Sequence, residues 1–140
     1  MGRHTIRKGL RLPAHGEPEQ SISVARMTRR VALLADDYMG LRPTFRVVEG
    51  DDVSRGQVLF QDKKRPGVRF TSPAAGTVEA IHRGDRRSFR SIVIALSRDE
   101  QEGRGGAAVR FSAFSGRHPR ELSDEAVREL LVESGLWTAI

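Results

Sequence analysis

The sequence predicts a mainly β fold of the α+β class. It reads as a small antiparallel sandwich or barrel with an extended N-terminal segment and a C-terminal helix. Three observations predict this. From Thr44 to Leu96, short runs of β-branched and aromatic residues alternate with turns bearing Gly or Pro, the spacing of an all-β core. A pattern also repeats 34 positions on: Val47-x-x-Gly50-Asp51 precedes Val58-Leu59-Phe60, and Ile81-x-x-Gly84-Asp85 precedes Ile92-Val93-Ile94. Two such halves packed face to face bury both apolar strands, which neither half does alone. Finally, residues 123–135 carry the start and stop signals of a helix.

Taken in order, residues 1–43 form an N-terminal extended or β segment packing on the core. Within it, 9–20 hold two prolines and two glycines and exclude a helix, while Leu10 and Leu12 alternate with Arg11 as two apolar anchors. Ile22 and Val24 alternate again and face one way. The run Val31–Ala35 fits either a strand buried on both faces or a short core helix, and periodicity does not separate these. Residues 44–100 hold the β core. Residues 101–106 (Gln-Glu-Gly-Arg-Gly-Gly) read as a flexible polar linker, and 107–140 as a helical segment leading into further domains. In that segment Ser123 is an N-cap, and Asp124 and Glu125 put negative charge at the positive end of the dipole. Leu122 and Val127 occupy staple positions, Val127, Leu130 and Leu131 form the apolar face, and Gly135 terminates it.

Composition narrows the function. The chain has 140 residues, about one domain, with 38% apolar content and only 6% aromatics, which predicts an aliphatic core. No run approaches the roughly 18 apolar residues of a membrane span, and the N-terminus lacks the apolar stretch of a signal peptide. The absence of Cys excludes disulfides, thiolate nucleophiles and Cys-ligated clusters. The net charge is +6, and only Lys8, Lys63 and Lys64 among the 24 basic residues are lysines. Arginine suits anionic partners, but acids such as Asp51-Asp52 and Asp99-Glu100 interrupt the positive charge, which argues against nucleic acid.

No catalytic constellation emerges. His4, His15, His82 and His118 lack metal-type spacing. Ser72 and Ser115 lie in no Gly-x-Ser-x-Gly elbow. Asp36-Asp37 and Asp51-Asp52 are adjacent residues, which point to opposite faces of a strand. Asp62-Lys63-Lys64 is chemically suggestive, because a lysine at a β-hairpin tip is where a swinging-arm cofactor attaches. A plain polar turn is the alternative.

The hairpin leads to a family. Val48-Glu49-Gly50-Asp51-x-Val53-x-x-Gly56-Gln57-Val58-Leu59, followed by Ser72-Pro73-Ala74-Ala75-Gly76-Thr77-Val78, resembles the biotinyl/lipoyl-like barrel-sandwich hybrid. Lys63 follows Leu59 by only four residues, closer than in swinging-arm domains. The flanking motifs resemble the A-subunit of the Na+-translocating NADH:quinone reductase (Nqr complex): Lys8-Gly9-Leu10-x-Leu12-Pro13, Tyr38-Met39-Gly40-Leu41-Arg42-Pro43, Gly56-Gln57-Val58-Leu59-Phe60-x-Asp62-Lys63-Lys64-x-Pro66-Gly67-Val68, and Ser134-Gly135-Leu136-Trp137-Thr138-Ala139. The resemblance covers essentially the whole chain. It implies the N-terminal third of a non-catalytic, peripheral subunit on the cytoplasmic face of the bacterial inner membrane. That subunit would dock to the other subunits of an oxidoreductase and Na+ translocase that uses NADH, flavins, iron–sulfur centres and ubiquinone in electron transport. It implies no cofactor or metal in this chain. It also implies an interaction with ubiquinone, for which Leu33, Leu34, Tyr38 and Met39 are the local candidates, with core or subunit-interface packing as the alternative. The other readings are an electron-transport subunit of the Rnf type, or a carrier or nucleic-acid-binding module.

Overall fold

β-Branched and aromatic residues set the strands, and Gly- or Pro-bearing turns end them. The structure is a computed structural model and describes Gly9, Gly16 and residues 19–139. Its strands are β1 (Arg30–Leu34), β2 (Pro43–Phe45), β3 (Asp52–Val53), β4 (Val58–Asp62), β5 (Arg69–Thr71), β6 (Gly76–Arg83) and β7 (Phe89–Leu96). Helices α1 (Arg98–Gln101) and α2 (Asp124–Ser134) follow. One sheet runs β1-β7-β6-β3 and the other β2-β4-β5, with every named pairing antiparallel.

The two halves of the 34-residue pattern fall in different sheets and meet across one core. Leu59 and Phe60 of β4 and Ile92 and Ile94 of β7 are all completely buried in a single cluster with Val47, Val53, Phe70 and Val78. Consecutive strand residues ordinarily point to opposite faces. Leu59 and Phe60 both turn inward because the β4–β5 register shifts between Val58 and Phe60, a bulge that re-aims a side chain.

One expectation needs correcting: the core is not purely aliphatic. Phe60 stacks on Phe70 with centroids 4.7 Å apart, and Tyr38 meets Phe70 edge-on at 4.8 Å. Phe45 and Phe89 lie 5.3 Å apart, and Phe89 is 5.3 Å from Phe60. Aromatics are few, but these five concentrate at one place, and an average composition carries no positions.

The Ser-Pro-x-x-Gly bend has a steric reason. A Cβ on Gly76 would lie 2.0 Å from the Ala95 carbonyl oxygen, so only glycine lets β6 start against the end of β7. The Ser72 hydroxyl donates to the Ala74 carbonyl at 2.6 Å, which fixes the bend and satisfies a buried polar group.

Residues 31–34 of the Val31–Ala35 run lie in a strand, but not one buried on both faces, and Ala35 opens the 3-10 turn that follows. β1 is the edge of its sheet, so only Val31 and Leu33 turn inward and Leu34 stays 47% exposed. Ahead of it, Ile22 and Val24 stand fully exposed and belong to no strand, so their alternation does not mark core contact. The expected anchors Leu10 and Leu12 lie outside the described residues.

Residues 101–106 are held by local bonds. Glu102 and Gly103 N–H donate to the carbonyls of Arg98 and Glu100, and Arg104 N–H donates to that of Asp99. The chain then pairs with the 54–57 turn: Arg55 N–H donates to the Ala107 carbonyl and Val109 N–H to that of Arg55, both at 2.8 Å.

Helix α2 begins at Ser123, whose side chain accepts the Ala126 N–H, and ends at Gly135 in the left-handed region at φ 81. Its last turn docks on edge strand β5, where the Thr71 hydroxyl donates to the Ser134 carbonyl at 2.7 Å.

Candidate functional site

The seam between the two sheets is open where edge strand β1 passes edge strand β5. After β1, Asp36 and Asp37 enter a one-turn 3-10 segment, and the Tyr38 N–H closes it on the Ala35 carbonyl at 3.0 Å. Leu41 N–H then donates to the Tyr38 carbonyl at 3.2 Å. These turns carry Tyr38 against Phe70 and leave Met39 outside, 94% exposed. Burial, and then the nearby Asp37 carboxylate, push the Tyr38 phenol above its ordinary pKa. Tyr38 is therefore a neutral hydroxyl at physiological pH.

Two hollows share Tyr38, Phe70 and Thr138. One of about 480 Å³ is walled by Tyr38, Met39, Leu41, Phe70 and Trp137, with Asp62 and Arg65 at its polar side. The other, of about 330 Å³, includes Ala32, Leu33 and Leu136. Of the four sequence candidates, Leu33, Tyr38 and Met39 line this seam, and Leu34 lines neither hollow. Sequence reasoning missed Phe70, Arg65, Asp62 and Trp137 as members. Trp137, an aromatic beside Gly135, and Asp62, in the stretch Asp62-Lys63-Lys64, gave local signals. Phe70 and Arg65 reach the seam through the β4–β5 hairpin.

Asp62 organises the adjacent hairpin. Its buried carboxylate accepts the Arg42 N–H at 3.3 Å and the Lys64 N–H at 3.0 Å, and the Lys63 N–H donates to the Arg42 carbonyl. The backbone under Lys63 and Lys64 is thus pinned while both side chains stay exposed. Ser72 is buried, and its hydroxyl is engaged with the Ala74 carbonyl. His82 faces solvent, and the His118 ring accepts the Arg120 N–H at 3.2 Å.

A second cluster gathers on Glu100. One Glu100 oxygen accepts the Ala75 N–H at 2.8 Å, and the carboxylate is forked by the Arg55 guanidinium at 3.2 and 2.5 Å. The Arg55 contact, then the Ala75 N–H, hold this carboxyl below the ordinary glutamate range.

The family model for the NqrA N-terminal barrel-sandwich hybrid domain matches residues 4–97, a stretch containing β1 to β7. The chain belongs to this family. Among named relatives, the chain is 47% identical over 136 residues to the A-subunit of the Na(+)-translocating NADH-quinone reductase of Haemophilus influenzae (strain PittEE). The same protein of Pasteurella multocida (strain Pm70) is 48% identical over 136 residues, and that of Klebsiella pneumoniae (strain 342) 49% over 135. The alignments take in 96–97% of this chain and 29% of each relative. The chain therefore spans less than a third of the length of these relatives. In family terms, the barrel-sandwich hybrid is the two-sheet body, with the pinned β4–β5 hairpin and the Tyr38–Phe70 seam at one side.

Proposed function

We propose that this chain acts as a non-catalytic docking part of the A-subunit in a Na+-translocating NADH:quinone reductase. The observation that carries the reading is 47–49% identity across nearly the whole chain to proteins of that name. The seam supports it: an open cleft in which exposed Met39 and Trp137 stand beside Leu41 and Phe70, with Asp37, Asp62 and Arg65 as polar partners, suits a contact surface. In this reading the cleft packs on another subunit of the complex at the cytoplasmic membrane face, with ubiquinone as a further occupant near Tyr38. The chain itself carries no redox group, and NADH, flavins and iron–sulfur centres belong to the other subunits.

The immobilised chain should retain the other subunits of the reductase from detergent-solubilised membranes of cells that lack the A-subunit. Supplied with NADH and a quinone alone, the chain should turn over neither. NADH oxidation by the purified chain unaided would overturn the reading.

A further inference from the structure

We propose that the tip of the β6–β7 hairpin is a docking surface for an anionic lipid bilayer. Arg83, Arg86, Arg87 and Arg90 lie within eight residues, against the single carboxylate of Asp85, and all four are exposed. Four arginines elsewhere pair with acids: Arg30 with Glu79, Arg55 with Glu100, Arg98 with Glu102, and Arg104 with Asp99 and Glu102. Among the described residues none of the four tip arginines pairs with a carboxylate.

The backbone presents these charges at a conformational cost. Arg86 (φ 52, ψ 30) and Arg87 (φ 60) are both left-handed, in a turn closed by the Ser88 N–H on the Asp85 carbonyl at 3.0 Å. Asn and Gly are the usual occupants of such paired positions. Arg90 also crowds Gly84, where a Cβ would come within 2.6 Å of its Nε. The strain has little return inside the molecule. Among the described residues, Arg83 is the one of the four whose guanidinium makes an internal polar or ring contact, lying over the Phe45 ring at 5.3 Å and donating to the Arg87 carbonyl at 3.5 Å, while Arg90 packs against Gly84.

The position suits a flat partner. β1 reaches only to Ser91 of β7, and β3 pairs with β6 only at Gly76 and Thr77. Residues 82–90 therefore extend past both neighbouring strands. A bilayer offers phosphates to such a tip without a matching groove. Single-stranded nucleic acid would need free aromatic faces, and Phe45 and Phe89 are engaged with each other and with Phe60. Val48, 65% exposed, borders the same hollow as Arg83 and adds an apolar contact at headgroup depth, while Glu49 in that hollow is occupied by the Ile81 N–H at 2.6 Å and leaves the tip net positive. The inference rests on the reading above, because Na+ translocation takes place across a membrane.

Each arginine near an anionic surface contributes roughly fivefold in affinity, so the tip orients the protein rather than holding it alone. The test is co-sedimentation of the purified chain with phosphatidylcholine vesicles, with and without phosphatidylglycerol. Binding should require phosphatidylglycerol, fade as salt shortens the screening length, and survive added inorganic phosphate at constant ionic strength. The double variant Arg86→Asn/Arg87→Gly relieves both strained positions, so its Tm should rise while vesicle affinity falls about 25-fold. Arg128→Gln, on α2, should leave affinity unchanged. Equal binding to neutral vesicles, full affinity in the double variant, no vesicle binding, displacement by inorganic phosphate, or preference for duplex DNA would each overturn the proposal. Vesicle binding lost with capture of the reductase retained would remove this proposal and leave the docking reading standing.

Discussion

Glu100 shows how one side chain joins segments distant in sequence. Its side chain is 8% accessible while that of Arg55 is 49%. The short contact thus has one buried end and one screened end, which limits its net worth to about 1 kcal/mol. Because its carboxyl is held down by Arg55 and the Ala75 N–H, folding favours the ionised form. The stabilisation is complete above the unfolded-state value near pH 4.5 and is lost as pH falls through the lower folded value. Glu100→Gln should therefore lower stability at pH 7 by about 1 kcal/mol. The gap to the parent should close as urea titrations move below about pH 4.5. A gap independent of pH would mean that the carboxylate charge is not what binds Arg55 and Ala75. At this scale the sequence revealed little. Asp99-Glu100 reads as two surface acids, and nothing local brings Arg55 or Ala75 to either. Ser123 and Gly135 were legible because helix caps act within a few residues.

Among elements, α2 depends on its end more than on its face. None of its residues is fully buried, so its docking rests on the C-terminal turn against β5. Gly135 is left-handed, and a Cβ there would meet the Thr71 hydroxyl at 2.8 Å and the Arg69 carbonyl at 3.2 Å. Gly135→Ala should cost about 1–2 kcal/mol for the left-handed Cβ and loosen the helix from the sheet. Ser123→Ala should cost about 1 kcal/mol for the lost cap without moving the helix. Amide exchange separates the two outcomes, with Thr71-side protection lost only in the first. If Gly135→Ala leaves exchange at 69–71 unchanged, the turn is not the docking element. Strands and helix were legible from their periods and punctuation. The one-sided burial of β1 was not, because an edge position depends on which strands pair, and Val31–Ala35 is apolar on both faces. The same holds for the seam: Tyr38 and Met39 announce themselves as an apolar pair, but Phe70 reaches Tyr38 only through β4–β5 pairing.

At the scale of the whole molecule, two small sheets share one core, so the β body should unfold as a unit while its seam varies independently. Phe60 is fully buried, stacks on Phe70 and touches Phe45 and Phe89. It thus binds β4 to β5, β2 and β7 together. Phe60→Ala should cost about 3–5 kcal/mol through lost burial and the cavity left behind, a large part of the roughly 5–15 kcal/mol that holds a domain folded. Met39 is almost wholly exposed, so Met39→Asp should change stability by less than about 0.5 kcal/mol. The same change places a further negative charge beside Asp37 and Asp62 at the mouth of the cleft, where docking would have to desolvate it. Urea unfolding paired with capture of the reductase distinguishes the two roles. Met39→Asp should keep the parent midpoint and lose capture, whereas Phe60→Ala should lose both in a single transition. Capture undiminished in Met39→Asp would move the docking surface away from the seam, and a biphasic transition in Phe60→Ala would show that the sheets do not share their stability.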